Sequence, residues 1–191
     1  MSFSGMVKEE LSRQIGNARH CRIAELAAII GSCGRMGHFP QGDILKIQTE
    51  NEVVARKCFT LLQKTFNIET EISVRENSHL KRVKVYVIEI SEPKEIQVIL
   101  QALKLTTDSV DHGTLIVADM LVAQQNCCKR AFIRGAFLAS GSISDPEKGY
   151  HFEIVCPDVR RAEQLQTIIR SFSVDAKIVQ RKKSHVVYVK E

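Results

Sequence analysis

The chain has 191 residues, 44% of them hydrophobic, with 27 basic against 22 acidic side chains and a formal net charge of +5. That is enough apolar material for one large core or two small ones, and no stretch approaches the ~20 consecutive apolar residues of a membrane span. The charge permits contact with nucleic acid without requiring it, and with no such stretch and a charged N-terminal segment neither a membrane nor a secreted chain is expected.

In chain order, "MSFSGMVKEELSRQIG" reads as a short helix over 1–17, bearing Lys8, Glu9 and Glu10 in place of the apolar centre of a leader. "IAELAAIIGSCGRM" at 23–36 is a hydrophobic helix with small residues along one face and a terminal glycine. "DILKIQT" at 43–49 alternates as a strand, and "NEVVARKCFTLLQKTF" is an amphipathic helix with Val54, Cys58, Leu61 and Leu62 at helical spacing. The strands "ETEISVR" and "KRVKVYVIEI" follow. "KEIQVILQALKL" reads as a helix, "TTDSVDHG" as a polar turn and "TLIVADMLV" as a further helix.

The pattern then repeats. Setting Gly34 on Gly141, an offset of 107, lays "RAFIRGAFLASGSI" at 130–143 over the first small-residue helix and "YHFEIVC" over "DILKIQT". "PDVRRAEQLQTIIRSF", "VDAKIVQR" and "SHVVYVK" complete the second copy. The expected organisation is an N-terminal helix over 1–17, a repeat over 18–90, a connecting segment over 91–125 and a second repeat over 126–191. The expected class is α+β, two tandem units of helices backing antiparallel sheets about a pseudo-two-fold axis. Ala27, Gly31 and Gly34 in one opening helix, with Gly135, Ala139 and Gly141 in the other, are the expected contact between repeats, where missing side chains let backbones cross closely. An internally satisfied two-fold predicts a monomer.

These residues resemble a known fold. "LAAIIGSCG" at 26–34 and "IRGAFLASG" at 133–141 are similar to the two nine-residue signatures of LAGLIDADG homing endonucleases. "MSFSGMVKEEL" and "CCKRAFIRGAFLASGSISDPEKGYHFEI" resemble the bacterial WhiA family, sporulation and cell-division transcription regulators with a LAGLIDADG-like region followed by a helix-turn-helix. The resemblance implies a cytoplasmic, nucleoid-associated regulator of sporulation, cell division and chromosome segregation, with double-stranded DNA and regulatory proteins as partners. Two departures stand out. The endonucleases carry an acidic metal ligand at the penultimate signature position, but here those positions are Cys33 and Ser140, neither a hard anionic oxygen. No metal-dependent nuclease is therefore expected; the alternative is an active endonuclease with displaced acids, Asp43 and Asp145. The second departure is that the sequence ends at "VVYVKE" with no helix-turn-helix, which reads as a piece of a longer regulator or a naturally short form.

Alternation along the strands turns Lys46 and Gln48 away from the helices, with His151 and Glu153 as the expected counterparts. The same reading turns out Ser73, Arg75, Arg82, Lys84, Tyr86, Lys177, Arg181 and Tyr188, and the turns add Lys81, Lys182 and Lys183. Lys46, Gln48, Arg75, Lys81, Arg82, Lys84, Lys177, Arg181, Lys182 and Lys183 are thus the candidate DNA contacts. Glu71, Glu153 and Asp175 interrupt the basic bias, and a plainly solvated sheet face is an equal reading.

Six cysteines without a CxxC pair read as reduced, buried thiols. Zinc ligation by Cys21 and Cys33 with His20 or His38 matches no usual spacing, so neither metal nor cofactor is expected. Cys33 falls at a helix C-terminus, where the dipole disfavours a thiolate nucleophile. "GSCGRMG" follows a helix where a phosphate cradle precedes one, and "GAFLASGSI" lacks the context of a serine elbow.

Overall fold

The structure is a computed structural model that describes residues 2–77 and 83–190. After α1 (Phe3–Arg13), the first repeat runs α2 (Arg19–Cys33), β1 (Gly34–Phe39), β2 (Gly42–Thr49), α3 (Glu52–Phe66), β3 (Ile72–Asn77) and β4 (Val83–Ile90). The connection holds α4 (Pro93–Ala102), β5 (Leu105–Thr107), β6 (Leu115–Val117) and a 3₁₀ turn over Met120–Ala123. The second repeat runs α5 (Asn126–Ser140), β7 (Gly141–Ile143), β8 (His151–Cys156), α6 (Val159–Arg170), β9 (Lys177–Arg181) and β10 (Ser184–Lys190). The two main sheets share one antiparallel order, β1-β2-β4-β3 and β7-β8-β10-β9.

Both repeats form for the same local reasons. Asn51 caps α3 by accepting from the Val53 amide at 2.9 Å, and Asp158 caps α6 by accepting from the Arg161 amide at 2.9 Å. The apolar stripes behind those caps, Val54, Cys58, Leu61 and Leu62 and then Leu165, Ile168 and Ile169, are all buried against the sheets. Each opening helix passes straight into a strand. Gly34 and Gly141 make that switch with extended backbone, and a Cβ there would stand 2.5 Å from the Ile30 carbonyl oxygen or 2.3 Å from the Phe137 ring. The helices stop at Cys33 and Ser140, at the glycines expected to end them, and the residues that follow add a strand, β1 or β7, to each sheet where only a short turn was expected.

The segment "TLIVADMLV" is not a helix. Leu115 and Val117 pair with Thr107 and Leu105 in a small hairpin, and Asp119 then starts the 3₁₀ turn by accepting from the Leu121 amide. Two inward apolar residues flanking the β-branched Ile116 suit a strand buried on one face. The hairpin is wedged between the repeats. The Met36 amide donates to the Gly113 carbonyl at 2.8 Å, Arg35 makes a two-pronged pair with Asp111 at 2.9 and 3.0 Å, and the Gln164 amide group donates to the Val117 carbonyl at 3.0 Å. Hydrogen bonds from Thr114 and Arg35 hold the Asp111 carboxyl down at about 2. A carboxyl depressed in the folded state stabilises above its ordinary range and loses that contribution as pH falls through its folded value. The hairpin is therefore expected to stay clasped at pH 4 and loosen toward pH 2, seen as faster amide exchange at Met36, and Asp111→Asn is expected to loosen it already at neutral pH.

At the centre, α2 and α5 pack more extensively than any other pair of helices. They approach closely at Gly135, where a Cβ would lie 2.4 Å from the Glu25 carbonyl oxygen and 3.0 Å from the Ala28 Cβ. Ala27 is fully buried beside this crossing, and Ala139 lines the groove below it. Gly31 does not serve the crossing: its open side faces Val117 and Leu105 of the hairpin at 3.5 and 3.7 Å. Gly34 and Gly141 serve the helix-to-strand switch instead.

A buried charge cluster sits on the same crossing. Glu25 and Lys57 have side chains with 0% exposure, 3.0 Å apart, and Arg134 grips the other side of the Glu25 carboxylate at 3.0 and 2.9 Å. Lys57 also donates to the carbonyls of Leu11 and Gln14, so one ammonium ties α1 and α3 to α2 and, through Glu25, to α5. Burial lowers the Lys57 pKa, while Glu25 pulls it back up.

Candidate nucleic-acid interface

The C-terminal ends of α2 and α5 open into a groove of about 910 Å³ between the repeats. Cys33, Gly34, Arg35, Lys46 and Gln48 line it from the first repeat, Ala139, Pro157 and Arg161 from the second, and Thr114 from the hairpin. This is where a LAGLIDADG nuclease would gather its acids, so the donors decide what chemistry is available. The Cys33 thiol is half-buried, and burial pushes its pKa up to about 11 against the opposing pull of Lys8. Ser140 donates its hydroxyl to the Val155 carbonyl at 2.8 Å. Neither fits a hard divalent cation.

The displaced acids are elsewhere. Asp43 holds His38 at 2.8 Å across the β1–β2 hairpin, and Asp145 caps a 3₁₀ turn by accepting from the Glu147 amide at 3.1 Å. Glu50 and Glu52 do reach the groove, but from one repeat only. Glu52 is engaged by Arg56 at 3.6 Å and the Tyr86 hydroxyl at 3.3 Å, and at the matching offset the second repeat has Pro157 and Val159. No acid pair straddles the axis among the described residues.

Strand register sorts the candidate DNA contacts. Arg35, Lys46 and Glu89 lie side by side on the outward face of the first sheet, with Gln48, Ser73 and Arg75 on the same face. In the second sheet Glu153, Lys177 and Tyr188 share the outward face, with Arg181 alongside. Lys84 and Tyr86 belong to the opposite face: Arg75 pairs with Val85, so its neighbours in β4 lie on the other side of the sheet, where Lys84 is exposed and Tyr86 reaches α3. Lys81 and Arg82 lie outside the described residues. Lys182 and Lys183 are exposed in the β9–β10 turn, which Lys182 makes with a left-handed φ of 53°.

Most of this positive charge is already met by acids. Arg75 pairs with Glu89 at 3.0 Å, Arg181 with Glu153 at 3.2 Å, Lys177 with Asp175 at 3.5 Å and Arg35 with Asp111 at 2.9 Å. His151 also leans on Glu153 at 3.0 Å. Of the candidate contacts, Lys46, Lys84, Lys182 and Lys183 have no ion-pair partner among the described residues, and Lys84 lies on the other face of its sheet. Arg35 escaped sequence reasoning because β1 read as part of the turn after the helix; the alternation in "GRMGHF" before the turn at Pro40–Gly42 was the available clue.

The zinc candidates regroup as well. Cys33 and His38 are apart from His20 and Cys21, which instead meet Cys127 and Cys128 at the other end of the helix pair. No helix among the described residues is long and apolar enough to cross a membrane.

Comparison with known proteins places this geometry. Residues 19–106 match the WhiA N-terminal LAGLIDADG-like domain and residues 129–191 the WhiA LAGLIDADG-like domain. The chain is 54% identical over 193 residues to a probable cell division protein WhiA of Lachnoclostridium phytofermentans, covering all of this chain and 61% of that protein. It is 42% identical over 192 residues to the corresponding protein of Lachnospira eligens, covering 60% of it. It thus spans about 61% of the length of the first of these relatives. Among solved structures, full-length DUF199/WhiA from Thermatoga maritima superposes over 100% of this chain and 58% of its own with a TM-score of 0.72 at 20% identity. The homing endonuclease I-DmoI in complex with DNA and Mn superposes over 91% of each chain with a TM-score of 0.62 at 13% identity, a likeness of fold alone.

Proposed function

The chain belongs to the WhiA family, and from that premise we propose that it is the nuclease-like part of a DNA-associated transcription regulator acting in sporulation, cell division and chromosome segregation. The observation that carries this reading is the groove itself. It keeps Lys46 at the mouth where a nuclease would hold its metal, beside Arg35 and Arg161, which are already paired with Asp111 and Asp158, while the Cys33 thiol and the Ser140 hydroxyl, the latter bonded to the backbone, stand in the acid positions. Such a surface holds phosphates weakly, and among the described residues no pair of acids from the two repeats lines it to bind a metal that would activate water against them. It acts on DNA by binding and on other regulatory proteins by display, in the bacterial cytoplasm at the nucleoid.

The paired outward charges set the strength of binding. With Lys46 on the outward face and Lys182 and Lys183 in the β9–β10 turn as the main phosphate contacts, log affinity for a random duplex is expected to fall with log salt at a slope of about −3 or shallower. Changing Lys46, Lys182 and Lys183 together to Gln is expected to flatten that slope toward zero in fluorescence anisotropy. An unchanged slope would remove these lysines from the interface. Because the two repeats satisfy the two-fold within one chain, light scattering is expected to report a monomer, and an obligate dimer would contradict that arrangement.

A further inference from the structure

The N-terminal ends of α2 and α5, at the far end of the helix pair from the groove, carry a second constellation. His20, Cys21, Cys127 and Cys128 each offer one ligand atom, and the four atoms lie within 4.8 Å of one another. His20 Nδ1 stands 3.1 Å from Cys128 Sγ, 3.5 Å from Cys21 Sγ and 4.0 Å from Cys127 Sγ. In a tetrahedral site with Zn–S near 2.3 Å and Zn–N near 2.0–2.1 Å, a nitrogen and a sulfur ligand stand roughly 3.6 Å apart. The observed spacings bracket that value.

The placement is also symmetric. Each pair occupies the second and third positions of its helix, and the repeat offset of 107 carries His20 onto Cys127 and Cys21 onto Cys128. Neither helix has a side-chain cap, since Ala18 and Gln125 make no side-chain capping hydrogen bond, so two positive dipole ends face this corner. A cation bound by three thiolates carries a net charge of −1, which those helix ends favour. Thiolate and imidazole ligands select a soft or borderline metal and reject magnesium or calcium.

We propose that His20, Cys21, Cys127 and Cys128 form a Cys₃His site for Zn²⁺ that fastens the first repeat to the second. On binding, the three thiols release their protons to solvent and keep their sulfurs on the metal, and His20 binds as the neutral imidazole through Nδ1 with its Nε2–H toward water. The metal is a staple and takes no part in chemistry on DNA. It joins segments more than a hundred residues apart, so it stabilises the folded chain over an unfolded one that has no such site.

The test is metal analysis of the chain purified without chelator, followed by reconstitution with Co²⁺. About one zinc per chain is expected, and the Co²⁺ form is expected to show the intense visible bands of tetrahedral thiolate coordination. Cys127→Ser, on an exposed ligand, is expected to lose those bands and its bound zinc while still folding. His20→Gln, also exposed, is a second variant expected to weaken binding, so a failure of one variant to fold leaves the question answerable by the other. Stripping zinc with a strong chelator is expected to lower the melting temperature of the parent chain and leave Cys127→Ser unmoved. Substoichiometric zinc with no Co²⁺ bands while the thiols titrate as free would overturn the proposal. So would Co²⁺ bands surviving in both variants, or an intact mass and peptide map showing a disulfide within the cluster in place of a metal.

Discussion

Glu25→Gln lowers the stability of the chain by about 3–5 kcal/mol, the expected cost of removing one partner from a buried ion pair. Lys57 is left fully enclosed, with the Leu11 and Gln14 carbonyls as its remaining partners and no counter-charge. Arg134 keeps some access to solvent and escapes most of the loss. The loss is read from urea or guanidinium unfolding as a shift in midpoint without a change in slope. Replacing both members, Glu25→Leu with Lys57→Met, is expected to recover much of that stability, because apolar residues of similar size often match a buried pair. If the single change proves neutral, the cluster does not hold the four helices together as described. A double variant as unstable as the single one would instead mean that hydrogen bonds from Lys57 to α1 carry the weight.

Gly135→Ala is expected to destabilise by about 1–3 kcal/mol or more, since the new methyl group meets a backbone carbonyl that cannot move without parting the helices. Gly31→Ala, the same change on the partner helix, meets only side chains at ordinary contact distance and is expected to be neutral or stabilising by up to about 1 kcal/mol through helix propensity. The contrast between the two is the informative quantity. Equal effects would mean that the repeats do not cross where α5 lacks its side chain.

How much of this was legible beforehand follows from the range of the interactions involved. The repeat, the amphipathic helices and the inward strand residues Leu45 and Ile47 are written in local periodicity, and the fold is built on them. The ends of α2 and α5 at their glycines are legible too, but the strands β1 and β7 that follow are not, because the few residues between each glycine and the turn read as part of that turn. The missing Cβ at 34 and 141 allows the abrupt passage from helix into strand. The hairpin at 105–117 was misread because its pairing and its docking between the repeats are tertiary. Gly31 and Gly135 look alike in sequence and differ only in what faces them. The same limit hid the Cys₃His corner. Two adjacent pairs more than a hundred residues apart match no spacing rule, and only the repeat offset laid over His20 and Cys21 points to Cys127 and Cys128.

The charge on the sheets was legible as composition and not as function. Alternation correctly turned Lys46, Gln48, Arg75, Lys177 and Arg181 outward, but Lys84 fell on the wrong parity because the strand was read without its register to Arg75. Nor does sequence say that Glu89, Glu153 and Asp175 sit within reach of those cations, which separates a strong polyanion surface from a weak one.

The proposed groove keeps a nuclease's shape and holds phosphates without a nuclease's chemistry. It is tested most directly by incubating the chain with supercoiled plasmid and Mg²⁺ or Mn²⁺, following strand breaks on a gel while anisotropy reports binding in the same samples. Salt-sensitive binding with the plasmid intact is the expected result. Metal-dependent nicking that copurifies with the chain and disappears with Glu50→Gln or Glu52→Gln would contradict it.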